Sequence, residues 1–173
     1  MKFLLVILLG LTVSPQTFSQ ANATSATDLL KPALAKASVE KKNVLLIFHA
    51  SWCGWCRKMD ASLNDASIKE AIDRNFIIVH LSVYESPGKK YLENPGALEF
   101  LTQHGASGQG IPYWFVLDKN GNVLFDSQYK PGKNSGCPAS EEEVAYFIGV
   151  LKKTATLTAE EIEAIGKRFR QNE

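Results

Sequence analysis

The sequence predicts an α/β sandwich, and three observations carry the prediction. Val44-Leu45-Leu46-Ile47-Phe48 is an unbroken apolar run, as expected of a central strand covered on both faces. A second clear strand, Phe76 to Val83, follows after helical stretches, so the two strands form a parallel βαβ unit. Tyr113 to Leu117 and Val123 to Asp126 then flank Asp118-Lys119-Asn120-Gly121, a hairpin turn that adds an antiparallel pair.

The remaining elements follow in order. Residues 28–41 read as an amphipathic helix with Leu29, Leu30, Ala33, Leu34 and Ala37 on one stripe, Pro32 in its first turn and Asn43 at its end. Cys53-Gly54-Trp55-Cys56 opens a helical stretch that runs to about Leu63. Ser67 with Glu70 has the spacing of a capping box for a second helical piece carrying Ile68, Ala71 and Ile72. A loop from Tyr84 to Asn94 leads to a short helix, Pro95 to His104, and glycine-rich Gly105 to Gly110 precedes Ile111-Pro112. Ser140 with Glu143 caps a helix containing Val144, Phe147, Ile148 and Leu151. Thr158 with Glu161 caps an extra C-terminal helix containing Ile162, Ile165 and Phe169.

Composition narrows the function classes. With 173 residues the chain suits one domain of ordinary size, and 45% apolar against 21% charged residues excludes wholesale disorder. Lys plus Arg is 19 and Asp plus Glu is 18, which argues against a nucleic-acid footprint or a polybasic membrane patch.

Lys2 followed by apolar Phe3 to Val13, then small residues at Ser19, Ala21 and Ala23, is the layout of a secretory signal peptide. The apolar run falls short of the roughly 18 residues of a spanning helix. Residues 1–21 are the expected signal peptide, with cleavage after Ala21 or Ala23, residues 22–27 a short tail and residues 28–173 a single domain. Cleavage leaves a net charge of zero and no stable membrane insertion, and a periplasmic location is expected.

The chemistry concentrates at Cys53 and Cys56, spaced i, i+3 at a strand-to-helix junction. That spacing brings both sulfurs to one helix face, close enough to join. Cys53 opens the helix, where unpaired N–H groups and the helix dipole favour a thiolate, while Cys56, one turn in, is expected to be more buried and less acidic. Cys53 therefore attacks or is attacked, and Cys56 resolves the mixed disulfide. Structural zinc needs four ligands, and beyond the pair only Cys137, His49, His80 and His104 remain. Covalent haem needs His after the second Cys, where Arg57 stands. A four-residue closure is also a weak structural staple.

Trp52-Cys53-Gly54-Trp55-Cys56-Arg57-Lys58-Met59 after an apolar strand, with Gly110-Ile111-Pro112 before a hairpin, resembles the thioredoxin superfamily. It is similar in particular to exported bacterial thioredoxin-like disulfide reductases and isomerases. The resemblance spans about Val44 to Leu151 and implies a thioredoxin-like three-layer sandwich. It implies a cis Ile111-Pro112 bond facing the cysteines, with Ile111 pairing with substrate backbone. The buried acid that thioredoxins carry six positions before the first cysteine is here Ile47, and His49 is the nearest replacement for proton transfer. Trp52 and Trp55 are expected to form an apolar substrate platform.

The expected function is a cell-envelope thiol–disulfide oxidoreductase that reduces or isomerises protein disulfides. It needs no cofactor beyond the Cys53–Cys56 disulfide, and it acts on disulfide- or thiol-containing envelope proteins together with a redox partner. Two other readings stay open: a Cu(I) carrier using the same cysteines, with His49 as the nearby imidazole, and a non-catalytic peptide-binding chaperone. Finally, strand directions bring the loops Tyr84 to Asn94 and Ser127 to Pro138 to the cysteine end of the sheet, as walls beside Trp52 and Trp55 that carry Cys137 to that side.

Overall fold

The computed structural model describes residues 23–173, so the expected signal peptide, residues 1–21, lies outside the described residues. Strand β1 (Asn43–His49) is the organising element, with Val44 to Phe48 all buried. It pairs in parallel with β2 (Phe76–Ser82) and antiparallel with β3 (Tyr113–Leu117), which pairs with the edge strand β4 (Val123–Asp126). The four-stranded order is β2-β1-β3-β4. A strand buried on both sides has no polar face, which is why β1 and β3 read as continuous apolar runs.

Alternation along those strands sorts the core into two layers. Val44, Leu46, Phe48, Tyr113, Phe115 and Leu117 face helices α1 (Ala26–Glu40) and α4 (Ala97–Gln103). Leu45, Ile47, Trp114 and Val116 face α2 (Gly54–Leu63), α3 (Lys69–Asn75), α5 (Glu141–Thr154) and α6 (Ala159–Arg170). The result is a three-layer thioredoxin-like sandwich with a mixed sheet. No helix among the described residues is long and apolar enough to cross a membrane.

Several local expectations are corrected. Ser25 caps α1, its hydroxyl accepting from Asp28 N–H, so the helix starts at Ala26 and Pro32 sits inside it rather than in the first turn. Ala26 and Thr27, read as part of a short tail, belong to α1. Both capping boxes at Ser140 and Thr158 are present, but the one at Ser67 is not. Asp65 takes both the Ser67 N–H and hydroxyl into its own turn, and α3 starts after Ile68 without a side-chain cap. The segment after β4 is a second small sheet, β5 (Gln128–Lys130) with β6 (Lys133–Asn134), rather than a plain loop.

Candidate active site

The two cysteines lie where β1 ends and α2 begins. Ala50 C=O accepts from Cys53 N–H at 3.0 Å, a tight turn that leaves Cys53 as the N-cap of α2. Its sulfur occupies the place of a capping oxygen and accepts the Cys56 N–H at 3.1 Å. A disulfide joins Cys53 to Cys56, with Cα atoms 5.3 Å apart. The expected difference in burial is absent, since Cys53 is 3% exposed and Cys56 2%. What distinguishes the sulfurs is position: only Cys53 receives a helix N–H, because only the first residue of the turn faces unpaired donors.

Ile111 packs against the pair, its carbonyl oxygen 3.6 Å from Cys53 Sγ, and the Ile111–Pro112 peptide is cis. Trp52 and Trp55 flank the disulfide and stand 56% and 49% exposed, a large apolar area for two residues beside a reactive group. Trp52 Nε1 donates to Tyr84 C=O at 2.8 Å, and Lys58 Nζ lies 4.2 Å over the Trp55 ring. Each ring is thereby fixed at its polar edge or face while its remaining surface meets solvent.

His49, at the end of β1, points to the same face as Ile47, and its Nε2 lies 3.3 Å from Ser82 Oγ. Burial, and next the neighbouring His80, push its imidazole below the ordinary value. His80 bonds Asp60 of α2 at 2.8 Å, and the two imidazole rings are 5.2 Å apart. Among the described residues no three His, Cys, Asp or Glu side chains converge as ligands for a metal ion.

Both expected walls flank the site. On one side Tyr84 and Glu85 meet the Ser51-Trp52 turn. On the other, Trp55, Ile111, Pro112, Asn134, Gly136 and Cys137 line a cleft of about 210 Å³. Asn134 is the keystone of that second wall: its Nδ2 donates to Pro112 C=O at 3.0 Å and Gly110 C=O at 3.3 Å, while its Oδ1 accepts from Gly136 N–H. Gly136 packs against Pro112, and its positive φ, 55°, favours glycine. Cys137 is buried, accepts from Asn172 Nδ2 at 3.3 Å, and burial pushes its thiol up to about 12. Sequence reasoning missed Glu85 and Asn134. Both are polar residues in segments without a hydrophobic period, and nothing in their neighbours announces burial or a bond to the site.

Comparison with known proteins finds a family and several similar structures. A family model described as thioredoxin-like matches residues 25–119. No curated protein matches the sequence. Among solved structures, a disulphide isomerase from Xylella fastidiosa Temecula1 is 22% identical, with 94% of this chain and 98% of that one covered at a TM-score of 0.52. A DsbH oxidoreductase is 21% identical over 83% of this chain and 92% of its own, at a TM-score of 0.47. The oxidised DsbD C-terminal domain of Neisseria meningitidis is 28% identical over 60% and 83%, at 0.41. With its family match over more than half its length and a closed Cys53–Cys56 pair at the head of α2, the chain belongs to the thioredoxin-like family.

Proposed function

We propose that this thioredoxin-like oxidoreductase reduces or isomerises disulfides of exported proteins in the bacterial cell envelope. The observation that carries the reading is the disulfide at the N-cap of α2 with the Ile111–Pro112 edge against it. In reduction, the Cys53 thiolate attacks a substrate disulfide, one substrate sulfur leaves as a thiolate, and a mixed disulfide forms. Cys56 then attacks Cys53 Sγ, closing the Cys53–Cys56 bond and releasing the second substrate thiolate. Two electrons pass to the substrate, and a dithiol-bearing redox partner must restore them. In isomerisation the substrate's own thiol displaces Cys53 and no net electrons are used.

The helix N-terminus favours the Cys53 thiolate, since its sulfur already accepts the Cys56 N–H. His49, kept neutral by burial at neutral pH, is the base we assign to the Cys56 proton where Ile47 supplies none. Trp52, Trp55 and Ile111 form the surface on which a substrate strand rests. The apolar run after Lys2 supports export to the periplasm.

Insulin reduction by the dithiol protein tests the reading. Cys53→Ser is expected to lower the rate at least about a thousandfold, to the level of free dithiothreitol, as removal of a covalent nucleophile does. A Cys53→Ser protein that reduces insulin at the parental rate would overturn it.

A further inference from the structure

One buried acid near the disulfide has no part in the exchange just described. Glu85 is 3% exposed, yet no ion pair among the described residues includes it. Both of its oxygens are engaged by one residue: Ser51 N–H donates to Oε1 at 2.6 Å and the Ser51 hydroxyl donates to Oε2 at 2.8 Å. A buried carboxylate is normally either paired with a cation or placed for a purpose, because desolvating it is expensive.

The segment that carries Glu85 is itself held firmly. Tyr84 has a left-handed backbone, φ 56°, which is uncommon for a non-glycine residue. Its carbonyl accepts the Trp52 indole, and its hydroxyl accepts Gly108 N–H. Glu85 N–H donates to Glu93 Oε1, which Lys90 also binds, and Asn94 fastens the loop back to Ser82. Ser51 and Trp52 are thus gripped from outside the chain segment that leads into Cys53.

Ser51 stands two residues before Cys53 in a tight turn, so the buried Glu85 carboxylate that holds it lies on the order of 10 Å from the Cys53 sulfur. We propose that Glu85 is a positioning residue of the redox site: it fixes the turn that carries Cys53 and places an unpaired negative charge at that turn, biasing the pair toward donating electrons. The inference rests on the oxidoreductase reading. A nearby negative charge raises the free energy of the Cys53 thiolate but not of the neutral disulfide. Transfer of two electrons from the dithiol to a substrate disulfide, with the Cys53–Cys56 bond formed and the substrate bond broken, becomes more favourable.

Other charges around the site are accounted for. From α2, Arg57 donates to Ser51 C=O, Lys58 covers Trp55 and reaches Asn172 C=O, and Asp60 bonds His80 of β2. His49 comes from β1, Lys90 pairs with Glu93, and Glu143 of α5 accepts the Ala139 and Ser140 N–H groups. A change confined to Glu85 leaves each of these in place.

The test is Glu85→Gln, whose amide oxygen still accepts the Ser51 N–H. In the reduced protein, the pH midpoint for iodoacetamide alkylation of Cys53 is expected to fall by about one unit, a tenfold gain in thiolate over thiol. Equilibrium with glutathione is expected to shift by up to tenfold toward the dithiol form, about 30 mV. Glu85→Met, similar in length and also without charge, repeats both measurements if the amide variant does not fold. A midpoint and equilibrium equal to the parent's in a folded charge-free variant would overturn the proposal, even if its melting temperature fell. Alkylation is read without any substrate, so a parent protein inactive on insulin would sink the oxidoreductase reading and leave this result standing.

Discussion

The two walls beside the disulfide are built from different physics. The Tyr84–Glu85 wall is polar, and it grips the backbone that leads into Cys53 through Ser51 and the Trp52 indole. The Asn134–Cys137 wall is largely dry behind its surface: Trp114, fully buried and edge-on to Phe147, donates its indole N–H to Gly136 C=O. Asn134 reaches from it to the carbonyls on either side of Ile111. One wall therefore governs the cysteine, and the other governs the edge on which a substrate rests. Separate walls let reactivity and recognition change independently.

Asn134→Ala breaks the comparison most sharply. It removes the donor to two carbonyls, at a net cost of about 1–2 kcal/mol by the usual worth of such bonds. If that cost falls on the docking edge, KM for a protein disulfide should rise roughly tenfold, with a smaller change in the rate toward a small disulfide. The alkylation midpoint of Cys53 should stay at the parent's value. A shifted midpoint with KM unchanged would show that the walls are not separable.

Cys137 sharpens the same contrast, because its wall is the dry one. Its thiol is held at about 12 by burial, against an ordinary value of 9.0. Between those values the unfolded chain has lost a proton that the native protein keeps, so stability falls as pH rises through this window. The slope approaches about 1.4 kcal/mol per pH unit, so near pH 10 the loss is about 1 kcal/mol. Urea denaturation of the parent and Cys137→Ala at pH 8 and 10 should show the smaller loss in the variant. Parallel losses would mean the thiol is not dry in the native state.

How much of this was legible in the sequence depends on the kind of signal. Continuous apolar runs and the i, i+3 cysteines are local, and they located β1, β2, β3 and the disulfide. Capping was legible where one candidate was present, at Ser140 and Thr158, and misleading at Ser67, where Asp65 competed for the same donors. The small β5–β6 sheet was missed because Gln128–Lys130 and Lys133–Asn134 are too short and polar to show a period, although Pro131-Gly132 marks its turn. The equal burial of the two cysteines was also not legible, since Ile111 covers them from 58 residues away. Glu85 shows the limit best. In sequence it is one acid in a polar loop, and nothing local announces that its carboxylate is buried and held by Ser51, 34 residues away.

The most direct test of the central claim, that Cys53 is the exchanging sulfur, is to trap the intermediate. Cys56→Ser protein is incubated with a disulfide-bonded protein substrate, quenched in acid and mapped by mass spectrometry. The account predicts a mixed disulfide through Cys53, with Cys137 still a free thiol. An adduct at Cys137, or no adduct while the same substrate is reduced by the parent protein, would contradict it.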